Sequence, residues 1–270
     1  MKNLMDLHNH CEFSYDSETP MEENVKAAVE KNLKYLSITD HLDLFYPTDK
    51  YMDTIDIPGY FEKHYPLQEK YQGKIDLLAG IEVGIQEETA QVNDTIVEEY
   101  NFDFVIGSVH ALDCVDLYMG QVVSKFKSLE DFYKYYYEGT QRAVEASQNF
   151  DVLGHIDYMD RYIGDVNAIP PISNYKEYIL PTLESLISRG KGIEINTGGP
   201  IRGLPYNHPK REVLEWYKDL GGKIITIGSD AHTPDQIGEG VVGAMEMLKE
   251  IGFETVSIFK KRKQVSIDLI

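Results

Sequence analysis

Residues 5–10 read Met-Asp-Leu-His-Asn-His, and near the other end of the chain residues 229–232 read Ser-Asp-Ala-His. Each stretch closes a short apolar run. On a β-strand, residues two apart point to the same face. His8 with His10, and Asp230 with His232, can therefore each reach one cation together. Two such pairs far apart in sequence restrict the fold. A sheet that closes on itself brings its first and last strands side by side, whereas an open sheet keeps them apart.

The pattern between them is an alternation of apolar strands and amphipathic helices. Strands are expected to end near His8, Thr39, Glu82, His110, His155, Asn196 and Asp230, in runs such as Tyr35-Leu36-Ser37-Ile38 and Ile224-Ile225-Thr226-Ile227. The first helix is marked by Thr19 as a cap, Pro20 in the first turn and Glu22 three residues after Thr19, a capping-box spacing. Val25, Ala28, Val29 and Leu33 form its apolar stripe. Further helices are expected over 58–71, 89–100, 129–149, 176–189, 209–220 and 234–251. In the helix expected over 129–149, the Tyr133–Tyr137 cluster reads as a packing face. Strands that are nearly all apolar and alternate with helices imply a parallel sheet covered by helices. Seven or eight such units in 270 residues suit a (β/α) barrel, held in one domain spanning 1–270. His10, His41, Glu82, His110, His155, Asp230 and His232 then all fall at or just past the carboxyl ends of strands, at the barrel mouth where such folds carry chemistry.

The formal net charge of −19 argues against a nucleic-acid partner, because phosphate backbones need a basic surface. The N-terminal residues lack an apolar signal core, and no run is long enough to span a bilayer, so no membrane partner is expected. Cys11 and Cys114 are the only cysteines, too few for a disulfide framework, which points to a reduced, cytoplasmic protein. Cys11 reads as a small buried thiol facing away from His8 and His10. His64 and His208 have no acidic partner at useful spacing and read as surface or internally satisfied residues. Imidazole combined with carboxylate suits Zn, Fe or Mn. The ligands outnumber what one tetrahedral ion can use. Glu82 is the only glutamate among them, and a carboxylate can bridge two cations. A bridged pair about 3.5–4 Å apart clamps attacking and leaving oxygens in phosphoryl transfer.

The ordered set His8-Asn9-His10, Thr39-Asp40-His41, Gly80-Ile81-Glu82, Gly107-Ser108-Val109-His110, Gly154-His155 and Ser229-Asp230-Ala231-His232 resembles the PHP (polymerase and histidinol phosphatase) family. The stretches Gly154-His155-Ile156-Asp157-Tyr158 and Glu194-Ile195-Asn196-Thr197-Gly198 look like its histidinol-phosphate phosphatase branch. The resemblance implies a distorted (β/α)7 barrel of the TIM-barrel kind with three divalent ions, Zn with Fe or Mn as alternatives. By position it implies one ion on His8, His10, Glu82 and Asp230, a second sharing Glu82 with His110 and His155, and a third on Asp16, His41 and His232. It implies a small phosphorylated metabolite as partner, L-histidinol phosphate, hydrolysed in histidine biosynthesis.

Arg161 and Arg202 resemble the arginines that hold substrate phosphate, a role suited to a planar fork. The alternative for Arg161 is a salt bridge with Asp157 or Asp160. Asp40 is a candidate proton donor or an orienting partner for a ligand. Residues 43–46 (Asp43, Leu44, Phe45, Tyr46) and 158–160 (Tyr158, Met159, Asp160) are positioned to meet the substrate's amine and imidazole. Three other readings compete: a phosphoesterase for nucleotides or phosphotyrosine, an amidohydrolase-type hydrolase, and a non-catalytic metal-binding module.

Overall fold

Apolar runs of two to nine residues become parallel strands because both of their faces are covered. The computed structural model describes residues 3–44, 55–117 and 123–269. In chain order the strands are β1 (Met5–Asp6), β2 (Tyr35–Ile38) with the short β3 (His41–Leu42) just beyond it, β4 (Asp76–Gly84), β5 (Phe104–Ser108), the hairpin β6 (Ala111–Leu112) and β7 (Val115–Asp116), then β8 (Val152–Leu153), β9 (Gly192–Asn196), β10 (Ile225–Gly228) and a second hairpin, β11 (Thr255–Lys260) with β12 (Lys263–Asp268). Parallel pairing runs β1-β2-β4-β5-β8-β9-β10, and β3 pairs with β4.

The first and last of these strands meet. Leu7 N donates to Ile227 O at 2.9 Å, Asp230 N to His8 O at 2.7 Å and His10 N to Ala231 O at 2.8 Å, and Asn9 bridges Ala231 in parallel. The buried Asp6 carboxylate clamps this seam. It accepts from Ser229 N at 2.9 Å, Ser229 Oγ at 2.5 Å and Gly238 N at 2.8 Å. A side chain at position 228 would collide with His8, so glycine there lets the two strands approach. The fold is the (β/α)7 barrel that the family resemblance implies.

The helices are α1 (Met21–Glu30), α2 (Ile57–Lys70), α3 (Ala90–Glu99), α4 (Leu129–Ala146), α5 (Lys176–Ser188), α6 (Arg211–Asp219) and α7 (Val241–Ile251). In α1, Val25 and Ala28 are fully buried and Leu33, just past its end, nearly so. Tyr133, Tyr136 and Tyr137 of α4 are buried as a packing face. No helix among the described residues is long and apolar enough to cross a membrane.

Three expectations are corrected. Thr19 does not cap α1. Its hydroxyl donates to His232 O at 2.9 Å, and the Glu12 carboxylate takes the Met21 N–H instead. The last helix begins at Val241, not at 234, because Gly240 precedes it with φ of 71°, outside the helical region. The sequence reading assigns nothing after Ile251, yet β11 and β12 form a hairpin against the barrel. Its turn is Lys261-Arg262, and the Asn-Gly or Asp-Gly signal that marks a tight hairpin is missing.

Candidate active site

Strand ends deliver the expected residues to one cavity. Beyond β1 lie His8 and His10. Glu82 lies on β4, His41 on β3, His110 and His155 just past β5 and β8, and Asp230 and His232 just past β10. The cavity has a volume of about 450 Å³ and is lined by Asp16, His41, Glu82, His110, His155, Arg161, Arg202, Asp230 and His232 together with Tyr15, Tyr158 and Tyr162. His8 and His10 form its floor, fully buried.

Glu82 is the centre. Its Oε2 faces His8 Nε2 at 3.2 Å, His10 Nε2 at 3.6 Å and His41 Nδ1 at 3.0 Å. Its Oε1 faces His155 Nε2 at 3.0 Å and His110 Nε2 at 3.3 Å. The two oxygens thus divide the imidazoles into two groups. On the outer side, Asp16 Oδ2 lies 3.0 Å from His232 Nε2 and 3.6 Å from His41 Nε2. The His10 ring is stacked between His41 and His232, at 4.3 and 4.4 Å. Ligand atoms close enough to share one ion occur in the sets His8-His10-Glu82, Glu82-His110-His155 and His10-Asp16-His41-His232. Asp230 joins the first set through Oδ1, 3.4 Å from His10 Nε2 and 3.9 Å from His8 Nε2. A further set, His41-Asp43-His110, brings in a residue the sequence reading placed elsewhere.

These atoms lack what buried polar atoms need. His8 Nε2, His10 Nε2, His41 Nδ1 and Glu82 Oε2 are buried without a hydrogen-bond partner. An orphaned buried acceptor costs about 1–3 kcal/mol, and four facing one another make a set that a cation could satisfy. The charge balance points the same way. Burial works against ionisation throughout the cluster. The neighbouring imidazoles nevertheless hold Glu82 well below the usual carboxylate range. Asp43 and Glu82 lift His110 to about 9, and His8 and His41 are also raised by their carboxylate neighbours. His10, buried between His41 and His232, is pushed down to about 3, and burial does the same to His155. Without cations, protons on some imidazoles balance the acids. Divalent ions would take over that balance, so the residues fit metal.

Outer partners fix the imidazoles. His8 Nδ1 donates to Glu194 Oε1 at 2.7 Å, and the other Glu194 oxygen accepts from His155 N at 3.3 Å. His110 Nδ1 meets Asp43 Oδ1 at 3.0 Å. His10 Nδ1 lies 3.0 Å from Ser14 Oγ, which donates to Asp40 Oδ1 at 2.7 Å. Sequence reasoning overlooked Glu194 and Ser14 in this role. One signal was present for Glu194: on β9 it shares a face with Asn196, two residues on. Asp40 does not line the cavity. Its oxygens accept from Cys11 N at 2.7 Å, Cys11 Sγ at 2.9 Å and Ser14. Cys11 is accordingly a buried thiol turned toward Asp40.

Asp230 carries a left-handed backbone, φ 57°, a conformation that aspartate tolerates better than most side chains. Across the cavity, Arg161 Nη1 donates to Asp230 Oδ2 at 2.8 Å and Nη2 to Asn196 Oδ1 at 2.9 Å. Arg202 Nη2 lies 3.5 Å from the same Asp230 oxygen. Arg161 also lies over the Tyr158 ring at 5.0 Å, and Tyr158 in turn stacks on His155 at 4.6 Å and meets the rings of His110 and Tyr162. The salt bridges considered for Arg161 do not form. Asp157 pairs with His208 Nδ1 at 2.5 Å and accepts from Lys210 N at 2.8 Å, while Asp160 is held by Tyr133, Tyr206 and Lys210.

His208 therefore has the acidic partner that its sequence spacing hides. His64 is fully buried and stacks on Tyr60. Of the residues expected near the substrate's nitrogen groups, Asp43 is engaged by His110, Asp160 is buried in its network, Met159 is core and Tyr158 lines the cavity. Phe45 and Tyr46 lie outside the described residues.

A family model for the PHP domain matches residues 6–198. The chain belongs to the PHP domain family. A protein of Clostridium acetobutylicum described as "Probable histidinol-phosphatase" is 34% identical over 96% of this chain and 98% of its own length. The "Histidinol-phosphatase" of Lactococcus lactis subsp. lactis is 30% identical over 97% of this chain and 96% of its own. A crystal structure of histidinol phosphate phosphatase from Lactococcus lactis, complexed with Zn, L-histidinol and phosphate, superposes with a TM-score of 0.89. It covers 97% of this chain and 99% of that one at 28% identity.

Proposed function

We propose that this PHP-domain chain is a metal-dependent phosphomonoesterase that hydrolyses L-histidinol phosphate to L-histidinol and phosphate, a step of histidine biosynthesis. The observation that carries the reading is the meeting of a glutamate-centred imidazole cluster with two arginines across one cavity. The named activities of the relatives, and the Zn, histidinol and phosphate of the Lactococcus lactis structure, point to the same substrate. The reaction belongs in a reduced cytoplasm, where both cysteines remain free thiols.

His8, His10, Glu82 and Asp230 are assigned to one ion and Glu82, His110 and His155 to a second, with Glu82 giving one oxygen to each set. Asp16, His41 and His232 are assigned to a third, beside His10. Zinc suits this mixture of imidazole and carboxylate, with iron or manganese as alternatives. Such ions, when bound, lower the pKa of water toward neutrality and neutralise phosphoryl charge.

The chain's own groups do the rest. Arg161 and Arg202 offer guanidinium N–H donors to the phosphoryl oxygens, where charge builds as the ester breaks. Tyr158 and Asn196 keep the Arg161 fork in its plane. Glu194 accepts a hydrogen bond from His8 Nδ1–H, which turns His8 Nε2 toward Glu82 and the ion. Ser14 does the same for His10, with Asp40 behind it, so Asp40 is a positioning residue in this scheme. The Tyr15 ring, stacked on His41 at 5.0 Å at the mouth, offers an aromatic surface to the substrate's imidazole.

The test is kcat/KM for L-histidinol phosphate against a nucleoside monophosphate, with metal analysis of the same preparation. A preference of at least about 100-fold for L-histidinol phosphate is expected, since a site built to hydrogen-bond its substrate rejects a mismatched one strongly. Equal or better use of the nucleotide would sink the substrate assignment, and absence of bound metal would sink the mechanism.

A further inference from the structure

The β11–β12 turn carries an anomaly of charge. In a chain of net charge −19, residues 260–263 read Lys-Lys-Arg-Lys. Two of the four are spent on acids: Lys260 Nζ meets Asp76 at 2.8 Å and Arg262 Nε meets Asp151 at 2.8 Å. The anomaly is also conformational. Lys261 and Arg262 both have positive φ, 50° and 63°, at positions where a tight hairpin favours Asn-Gly. Two bulky residues in the left-handed region are held there by Asp103, whose carboxylate accepts from Lys261 N at 2.8 Å and whose carbonyl accepts from Arg262 N at 2.9 Å. Strain imposed by surrounding contacts is a pointer to function.

Lys261 and Arg262 line a cavity of about 490 Å³ beside the amino-terminal ends of β4 and β5, opposite the metal cluster. Its other walls include Tyr65, Tyr100, Phe102 and His64. His64 has no exposed surface, and the Leu78 backbone lies against its ring. Burial pushes it down to about 4, so at neutral pH its ring is uncharged.

We propose that this cavity is a second ligand site, taking a small planar ring that bears a phosphate or carboxylate group. Tyr65, Tyr100 and Phe102 receive the ring, and Lys261, with the guanidinium N–H groups that Arg262 does not give to Asp151, receives the anion; the buried His64 ring beneath reports on the cavity without touching the ligand. No step of the phosphatase reaction depends on the site.

The experiment titrates the zinc-loaded protein with phenylphosphonate, whose carbon–phosphorus bond resists hydrolysis, and follows the His64 Cε1–H resonance. A saturable shift is expected. Benzyl alcohol, which lacks the charge, and inorganic phosphate, which lacks the ring, should each bind at least about tenfold more weakly. Lys261→Glu should weaken the phenylphosphonate response about tenfold while leaving turnover unchanged. A resonance that does not move up to about 10 mM, a range that reaches very weak binding, overturns the proposal. So does a shift that survives Lys261→Glu, because the basic turn then contributes nothing to binding. A response to inorganic phosphate as strong as to phenylphosphonate also overturns it, by removing any role for the aromatic wall.

Discussion

Glu82 buries a carboxylate among the imidazoles of His8, His10, His41, His110 and His155, all within 3.6 Å. Replacing it with glutamine keeps the shape and removes the charge, and turns one acceptor into a donor aimed at imidazole lone pairs. Glu82→Gln should lower kcat/KM by at least about 100-fold, because it weakens both of the proposed ion sites together. Measured metal content should fall in parallel, and near-normal turnover would refute the bridging role. Glu194 acts one layer out. Its charge never enters the cavity, so Glu194→Gln should weaken metal affinity about 10–100-fold, read by chelator competition, while KM in saturating zinc changes little. Arg161 gives the opposite split. Arg161→Ala should raise KM for the phosphate ester and leave bound metal intact; loss of metal would show that its bond to Asp230 serves the ions instead. The inner set was readable in the sequence because each member sits at the end of an apolar run. The outer set was not: Glu194 and His8 are 186 residues apart, and Asp43 and His110 are 67 apart. Only the closed barrel brings such pairs together.

Strands and helices were legible for the same reason that they are stable: apolar periodicity encodes burial. What periodicity cannot encode is the irregular turn that holds a functional side chain. Residues Tyr158–Tyr162 form a 3₁₀ segment carrying Tyr158, Arg161 and Tyr162 to the cavity. A short 3₁₀ turn has little stability of its own. Its anchors lie behind it, where Asp157 pairs with His208 and Lys210, and Asp160 with Tyr133, Tyr206 and Lys210. Lys210, mostly buried, is among the described residues the one cation shared by both acids. The interior partners were invisible to a sequence reading that judged His208 by its near neighbours. Lys210→Met leaves two buried carboxylates short of positive charge, at a cost of about 3 kcal/mol. The expected outcome is a lowered Tm and a raised KM for the phosphate ester, with metal content retained. If Tm falls while KM holds, the network supports the barrel without positioning Arg161.

At the scale of the molecule, closure and chemistry depend on the same seam. Asp6 joins β1 to the segment after β10, and the pairs His8-His10 and Asp230-His232 emerge on either side of it. A barrel closed over so many unpaired lone pairs should depend on cations for its stability, since ions that bind only the folded chain add their binding energy to it. The pH dependence of the metal-free protein gives this a sign. His110 rises to about 9 when the cluster holds no cation, against an ordinary value of about 6.5, and His8 and His41 are raised as well. A histidine whose folded pKa is raised contributes stability that is complete below its unfolded value and disappears as the pH climbs through its folded value. Chelator-treated protein should therefore lose Tm between about pH 6.5 and 9, by roughly 5 °C or more for a chain of this size. Zinc-loaded protein should not follow, because the ions have displaced those protons and bind better as competition from protons fades. Thermal melts of the two forms across this range decide the matter. Parallel curves would mean that the imidazole cluster does not carry the charge of bound cations in the folded protein.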